Sequence, residues 1–192
     1  TGLISMKEQI LMTDLAQTFR RISLPRRVRR NTILLITAPI AYGIISWLIL
    51  KSAGNPPVHF RIDIAPLVEA AFVVKLHVLG AVVAFVTGII LLRGVKGSGL
   101  HRKLGYTWVA AMALAVISSF FITGLNGSHF SWIHGISAWT VIALPMAVAA
   151  ARRRNIAKHA RGMTSAFVGG LLVAGLFTFL PGRMLWSIFF AV

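Results

Sequence analysis

Residues 70–92 read AAFVVKLHVLGAVVAFVTGIILL, an apolar stretch whose only charged residue is Lys75. As a helix these residues rise about 34 Å at 1.5 Å per residue, enough to cross the roughly 30 Å hydrocarbon core of a bilayer. Lys75 falls within two turns of the start, where its amine can snorkel to the head-group layer. The stretch has no polar face, so it reads neither as a half-buried strand nor as a surface helix of a soluble domain. Working outward, the runs Thr32–Leu50, Leu104–Leu125, Phe130–Ala151 and Met163–Leu180 have similar length and character. The expected fold class is therefore all-α, an integral membrane bundle of about five transmembrane helices. Composition agrees, since 57% of the 192 residues are apolar and 12% are charged, about half the charge that covers a soluble domain. The absence of cysteine excludes disulfides, thiolate metal sites, iron–sulfur clusters and thioether-linked haem.

Two regions follow from this reading. Residues 1–31 form a cytoplasmic segment in which Ile10, Leu11, Leu15, Phe19 and Ile22 line one face of an amphipathic helix ending at Pro25, followed by a basic run. Residues 32–192 form the transmembrane bundle. No signal-peptide pattern is present, and the residues before Met6 are not used for fold reasoning. The final run, Met184–Val192, is too short to span and is expected at the interface or packed back on the bundle. Five spans put sixteen of the twenty basic residues on one side, leaving Lys51, Arg61, Lys75 and Arg183 on the other. The positive-inside rule then places the N-terminus in the cytoplasm and the C-terminus in the periplasm of a bacterial inner membrane. The charge of +16 reflects topology and attraction to anionic lipid head groups, and no nucleic-acid partner is expected.

Histidine is the remaining metal-ligand type. His77 and His134 lie in the first turns of the second and fourth helices at the outer end, while His101 and His159 immediately precede the third and fifth at the inner end. The intervals His77–His101 and His134–His159 are 24 and 25 residues, which suggests a duplicated two-helix unit. If helices two and four face each other, and three and five likewise, His77 pairs with His134 and His101 with His159. Each pair can ligate the iron of a haem b, which needs only axial imidazoles and a pocket between helices. Small residues beside the ligands, Gly80, Ala81, Ala84 and Gly88 on helix two and Gly169, Gly170, Ala174 and Gly175 on helix five, provide room for a macrocycle or, equally, for close helix approach. Interfacial histidines also serve as interhelical hydrogen bonders, and His101 and His159 stand among Arg102, Lys103, Lys158 and Arg161, which suit lipid phosphates or haem propionates alike. His59 and His129 fall in outer loops, and Lys75 with Glu69 marks an interfacial anchor or a quinone contact.

Leu76-His77-Val78-Leu79-Gly80, His101-Arg102-Lys103-Leu104-Gly105-Tyr106, His159-Ala160-Arg161-Gly162-Met163 and Phe177-Thr178-Phe179-Leu180-Pro181-Gly182-Arg183 together resemble a bacterial family of predicted membrane proteins carrying a domain of unknown function. The resemblance covers roughly residues 66–183 and implies no activity. The paired-histidine layout is more loosely similar to two-haem transmembrane cytochromes b of the ascorbate and ferric reductase type. That likeness implies one haem on His77 and His134 and another on His101 and His159.

The leading expectation is a transmembrane electron-transfer protein binding one or two b haems and exchanging electrons with a quinone or small reductant. The alternative is a cofactor-free accessory subunit of a larger respiratory or photosynthetic complex, with its small-residue faces and N-terminal arm as contacts. Classical enzymology has little support, because no acid pair, phosphate loop or nucleophile elbow is present. Transport has little support either, as Pro39 and Pro145 are read only as kinks.

Overall fold

The structure, a computed structural model, describes residues 26–122 and 132–191, with side chains described for 32–122 and 135–191. It is a helical membrane bundle. Helix α1 is Arg26–Ser52, and a short strand β1, His59–Phe60, and one helical turn α2, Ala65–Val68, lead into α3, Phe72–Arg93. Helices α4, Gly99–Ser119, α5, Trp132–Arg152, and α6, Ile156–Ser165, follow. Helix α6 runs on through a π-helical segment, Ala166–Val173, into α7, Ala174–Phe177, and the chain ends with α8, Met184–Phe189, and β2, Phe190–Ala191.

Four segments are long and apolar enough to cross a membrane: Thr32–Ser52, Phe72–Arg93, Gly135–Arg152 and Ile156–Phe177. Helix α4, expected as a further span, is 21 residues long but carries His101, Arg102 and Lys103 in its first turns, which lowers its hydropathy below that of the others. It also ends at Ser119 rather than at Leu125. The N-terminal amphipathic helix lies outside the described residues.

Helices α3 and α4 form a hairpin. Its turn uses Gly97 at φ +78°, a conformation that costs glycine little. Lys96 closes the C-terminus of α3 by donating from Nζ to the carbonyls of Leu91 (2.6 Å) and Leu92 (2.7 Å), where a cation also meets the negative end of the helix dipole. Ser98 Oγ then accepts the His101 N–H at 3.1 Å, an N-cap that starts α4 before its histidine. The two helix backbones touch at Gly80, where a Cβ would lie 2.8 Å from Ala111 O and 2.9 Å from Ala115 N. The row Gly80, Ala84, Gly88 is buried throughout and acts as a helix-packing face.

Helices α5 and α6 form the second hairpin. Asn155, next to Arg154 at φ +58°, caps α6 by accepting the Lys158 N–H at 3.0 Å. Both N-caps move the helix starts upstream, so His101 and His159 lie inside the first turns of α4 and α6 rather than before them. Gly162 meets Ala147 of α5 so closely that a Cβ would come within 2.6 Å of the Ala147 Cβ.

The hairpins join around a core of Ala84, Trp108, Met112, Leu144, Ala166, Phe167 and Val168. Helix α3 packs on α4 and on the π-helical segment, α5 on α4, α6 and the π-helical segment, so the helices form a ring. Helices two and four of the sequence reading, α3 and α5, thus stand across the bundle from one another, as do α4 and the α6–α7 helix. Met112 and Thr140 are the largest fully buried side chains, and Gly170 faces both, its absent Cβ 3.5 Å from Met112 Cε and 3.9 Å from Thr140 Oγ1. A buried hydroxyl pair, Ser119 and Ser137 at 2.7 Å, ties α4 to α5.

Helix α1 packs on the π-helical segment and α7, with the Tyr42 hydroxyl donating to Phe179 O at 3.1 Å. Ile36, Ile40, Ile44 and Trp47 remain exposed on α1, as expected of a lipid-facing helix. The C-terminal run packs back. After a turn at Gly182, φ +82°, α8 lies against α2 and β2 pairs antiparallel with β1, Phe60 opposite Phe190. Backbone bonds from Arg61 N to Phe189 O (3.0 Å) and Asp63 N to Ile188 O (2.9 Å) extend this cap, and the Trp186 and Phe190 rings lie 4.4 Å apart within it.

Candidate functional site

Three of the four expected ligand histidines have described side chains. His77 Nδ1 is 2.7 Å from Ala115 O of α4, and His159 Nδ1 is 3.0 Å from Ala147 O of α5. A carbonyl only accepts, so in both cases Nδ1 must carry the proton. In the neutral ring Nε2 is then the nitrogen with the lone pair, and an Nδ1–H anchored to a carbonyl is the second-sphere arrangement common for metal-bound imidazole. His134 lies in the first turn of α5, three residues outward of Ser137, and its side chain lies outside the described residues. Because Ser137 bonds Ser119, one turn beyond Ala115, and His134 lies three residues farther out, the backbone of His134 sits about two turns, roughly 10 Å, outward of the Ala115 layer.

At the opposite, basic end the structure brings His101 and His159 into electrostatic contact. The His101 pKa is held below its ordinary value of 6.5, first by burial, then by the neighbouring charges of His159 and Lys96. Its Nδ1 is buried with no hydrogen-bond partner. Lys75 is exposed, in keeping with an interfacial anchor, and His59 is exposed in β1. Among the described residues no group of three or more metal-ligating side chains converges, so any metal seat here rests on imidazole pairs.

Each half of the bundle has both buried and open positions. Ala166, Phe167 and Val168 are buried on the basic side of the bundle, and Phe167 lies against Gly88, with Trp108 beside it. Farther out, none of residues 169–179 is buried, although α1 covers this stretch from outside. Gly169 and Gly175 have no atom within 4 Å of the position a Cβ would take. Gly105, one turn from His101 in the other half, is equally open, and the layer around His77 holds the buried residues Gly80, Ala115, Val116, Ser119 and Ser137.

Residues 74–189, more than half of the chain, match the family model described as Predicted membrane protein (DUF2306). The chain belongs to this family. The DUF2306 match begins within α3, three residues before His77, and ends with α8 at Phe189, so it takes in all four histidines and both hairpins. Helix α1 lies ahead of it. No curated protein and no solved structure matches the chain. The DUF2306 description states a membrane location and no activity, so any functional reading depends on the histidines themselves. Sequence reasoning missed the two caps, Ser98 and Asn155, although each is legible as a polar residue three positions before the N–H it accepts. It had no means of finding the Ala115 and Ala147 carbonyls, which reach the histidines only through interhelical register.

Proposed function

We propose that this DUF2306 protein is a transmembrane electron-transfer protein that seats a b-type haem in the outer half of its bundle, between His77 and His134. The observation that carries the reading is the 2.7 Å bond from His77 Nδ1–H to Ala115 O, which fixes the ring and leaves Nε2 as a ligand. Gly169 and Gly175, with no atom within 4 Å of a Cβ position, are small residues of the kind a macrocycle needs beside its ligands. When bound, the haem would supply reversible one-electron transfer. The chain's part is to hold the imidazole, exclude water with apolar helices and, through its basic end, hold the protein in register with the bilayer.

The test is a reduced-minus-oxidised visible spectrum of purified protein with haem extracted and counted. Sharp b-type bands near one haem per chain, lost in His77→Ala, are expected. Colourless protein after expression with added haem, or a His77→Ala variant with full haem content, overturns the reading. The second reading, a cofactor-free accessory subunit, draws on the cap, where Phe60 (70%), Ile62 (69%), Ile64 (62%) and the adjoining Phe72 (73%) are exposed. Native sizing after mild extraction distinguishes the two, because migration only as a lone chain counts against a subunit role.

A further inference from the structure

A cleft of about 410 Å³ runs between α4 and α5 on the bundle's outer surface. Its walls are apolar, with Val109, Ala113 and Ile117 on one side and Val141 and Val148 on the other, and Arg152 is the only charged residue that lines it. Thr140 lies at the other limit of the cleft, and its hydroxyl is occupied by a 2.8 Å bond to Ile136 O. The lining therefore offers one cationic end and a long apolar channel, with no second polar group directed into it.

Two features identify the occupant. From Thr140 to Arg152 is twelve residues of α5, or about 18 Å along the axis, close to the roughly 15 Å depth of one hydrocarbon leaflet. Thr140 also contacts the Gly170 and Met112 layer at the bundle centre, so the channel runs from the bilayer midplane to the basic surface. That is the path of one acyl chain, not of a molecule crossing both leaflets. Charge complementarity fixes the head. Arg152 has no carboxylate partner among the described residues, whose acids Asp63 and Glu69 lie at the far end, and Arg153 and Arg154 follow it directly. We propose that this cleft is a binding site for an anionic phospholipid of the leaflet at the basic end, one acyl chain lying between α4 and α5 and the phosphate meeting Arg152. Such a lipid would complete the contact between the hairpins, which touch less extensively than the helices within each hairpin.

The experiment uses full-length protein in mild detergent, with lipid retention read by native mass spectrometry and thermal stability read with added phosphatidylglycerol or phosphatidylcholine. Wild type is expected to retain about one phosphatidylglycerol per chain and to be stabilised by it more than by phosphatidylcholine. Arg152→Gln, at an exposed position, should lose about fivefold in affinity for phosphatidylglycerol and leave phosphatidylcholine unaffected, as one surface cation near a lipid phosphate predicts. Val141→Trp, which fills the channel from a lipid-exposed position, should abolish retention of both. Arg93→Gln, at the same end but outside the cleft, should behave as wild type. Unchanged retention in Val141→Trp, equal effects of Arg152→Gln and Arg93→Gln, or full competition by soluble glycerol phosphate would each overturn the assignment. The first would place the lipid elsewhere, the second would reduce the preference to general surface charge, and the third would leave a phosphate site without an acyl chain.

Discussion

The close approach of α3 and α4 at Gly80 gives the sharpest single-residue test of the bundle. In Gly80→Ala the new Cβ would lie 2.8 Å from Ala111 O, 2.9 Å from Ala115 N and 3.3 Å from Ala115 Cα. All three are backbone atoms, so no side-chain rotation relieves the contact and the helices must part by about 0.6 Å to reach ordinary van der Waals separation. Overpacking of this kind costs about 3 kcal/mol at the upper end of its usual range, while replacing a helical glycine by alanine returns about 1 kcal/mol of propensity. The net loss is about 2 kcal/mol, a fall in Tm of about 4–8 °C for a chain of this size. The same parting stretches the bond between His77 and Ala115 less than one turn away, so a haem held by His77, as proposed above, should be lost together with stability. Gly105→Ala is the control, since Gly105 lies in α4 with nothing within 4 Å of its Cβ position and gains propensity without a clash. Thermal unfolding of both variants in one detergent, followed by near-ultraviolet circular dichroism, reads the difference. If Gly80→Ala melts at or above wild type, or matches Gly105→Ala, the backbone contact is not where the structure puts it.

Three further outcomes are expected. Phe167→Ala should cost about 3–5 kcal/mol as a core deletion, and Gly88→Ala, whose Cβ would strike the Phe167 ring and lie 2.9 Å from Trp108 Nε1, should be better tolerated in that background than alone, with the Trp108 contact remaining, as a double-mutant cycle of thermal stabilities would show. The Ser119–Ser137 hydroxyl pair, measured by a cycle of single and double alanine variants, should couple by about 0.6 kcal/mol and by no more than about 1.7 kcal/mol, the range for interhelical bonds in membranes. Because the His101 pKa is lowered in the fold, the unfolded chain binds more protons as the pH drops below about 6.5, so Tm should decline from pH 7 toward pH 5; His101→Gln should flatten that slope, and an unchanged slope would mean that His101 is not the group responsible.

Much of the bundle was legible in the sequence because hydrocarbon imposes a simple requirement: every backbone polar group must be satisfied within its own helix over about 20 residues. Residues 70–92 could be little else, and the small row Gly80, Ala84, Gly88 already marked the face that meets α4. The helix starts were less legible, since the capping residues Ser98 and Asn155 are polar positions in basic loops where the charges draw the eye. The candidate histidines were identifiable as residue types at helix ends, and their sequence spacing anticipated that His101 and His159 would come together.

Other properties depend on atoms far apart in the chain. The cap formed by β1 and β2 joins residues about 130 positions apart, and neither two-residue strand has a pattern of its own. The π-helical segment at 166–173 directs Phe167 into the core through a widening that apolar composition does not encode. The tautomer of His77 is set by Ala115, 38 residues later, and that of His159 by Ala147 on the preceding helix. Composition and hydropathy alone determined that this chain is a helical membrane protein with one strongly basic end, because transfer into lipid is a sum over residues and needs no partner. Only the tertiary structure decided which nitrogen of His77 and of His159 meets a carbonyl and where α4 and α5 leave a lipid-sized cleft, because each of these depends on the register between helices and not on any one helix's sequence.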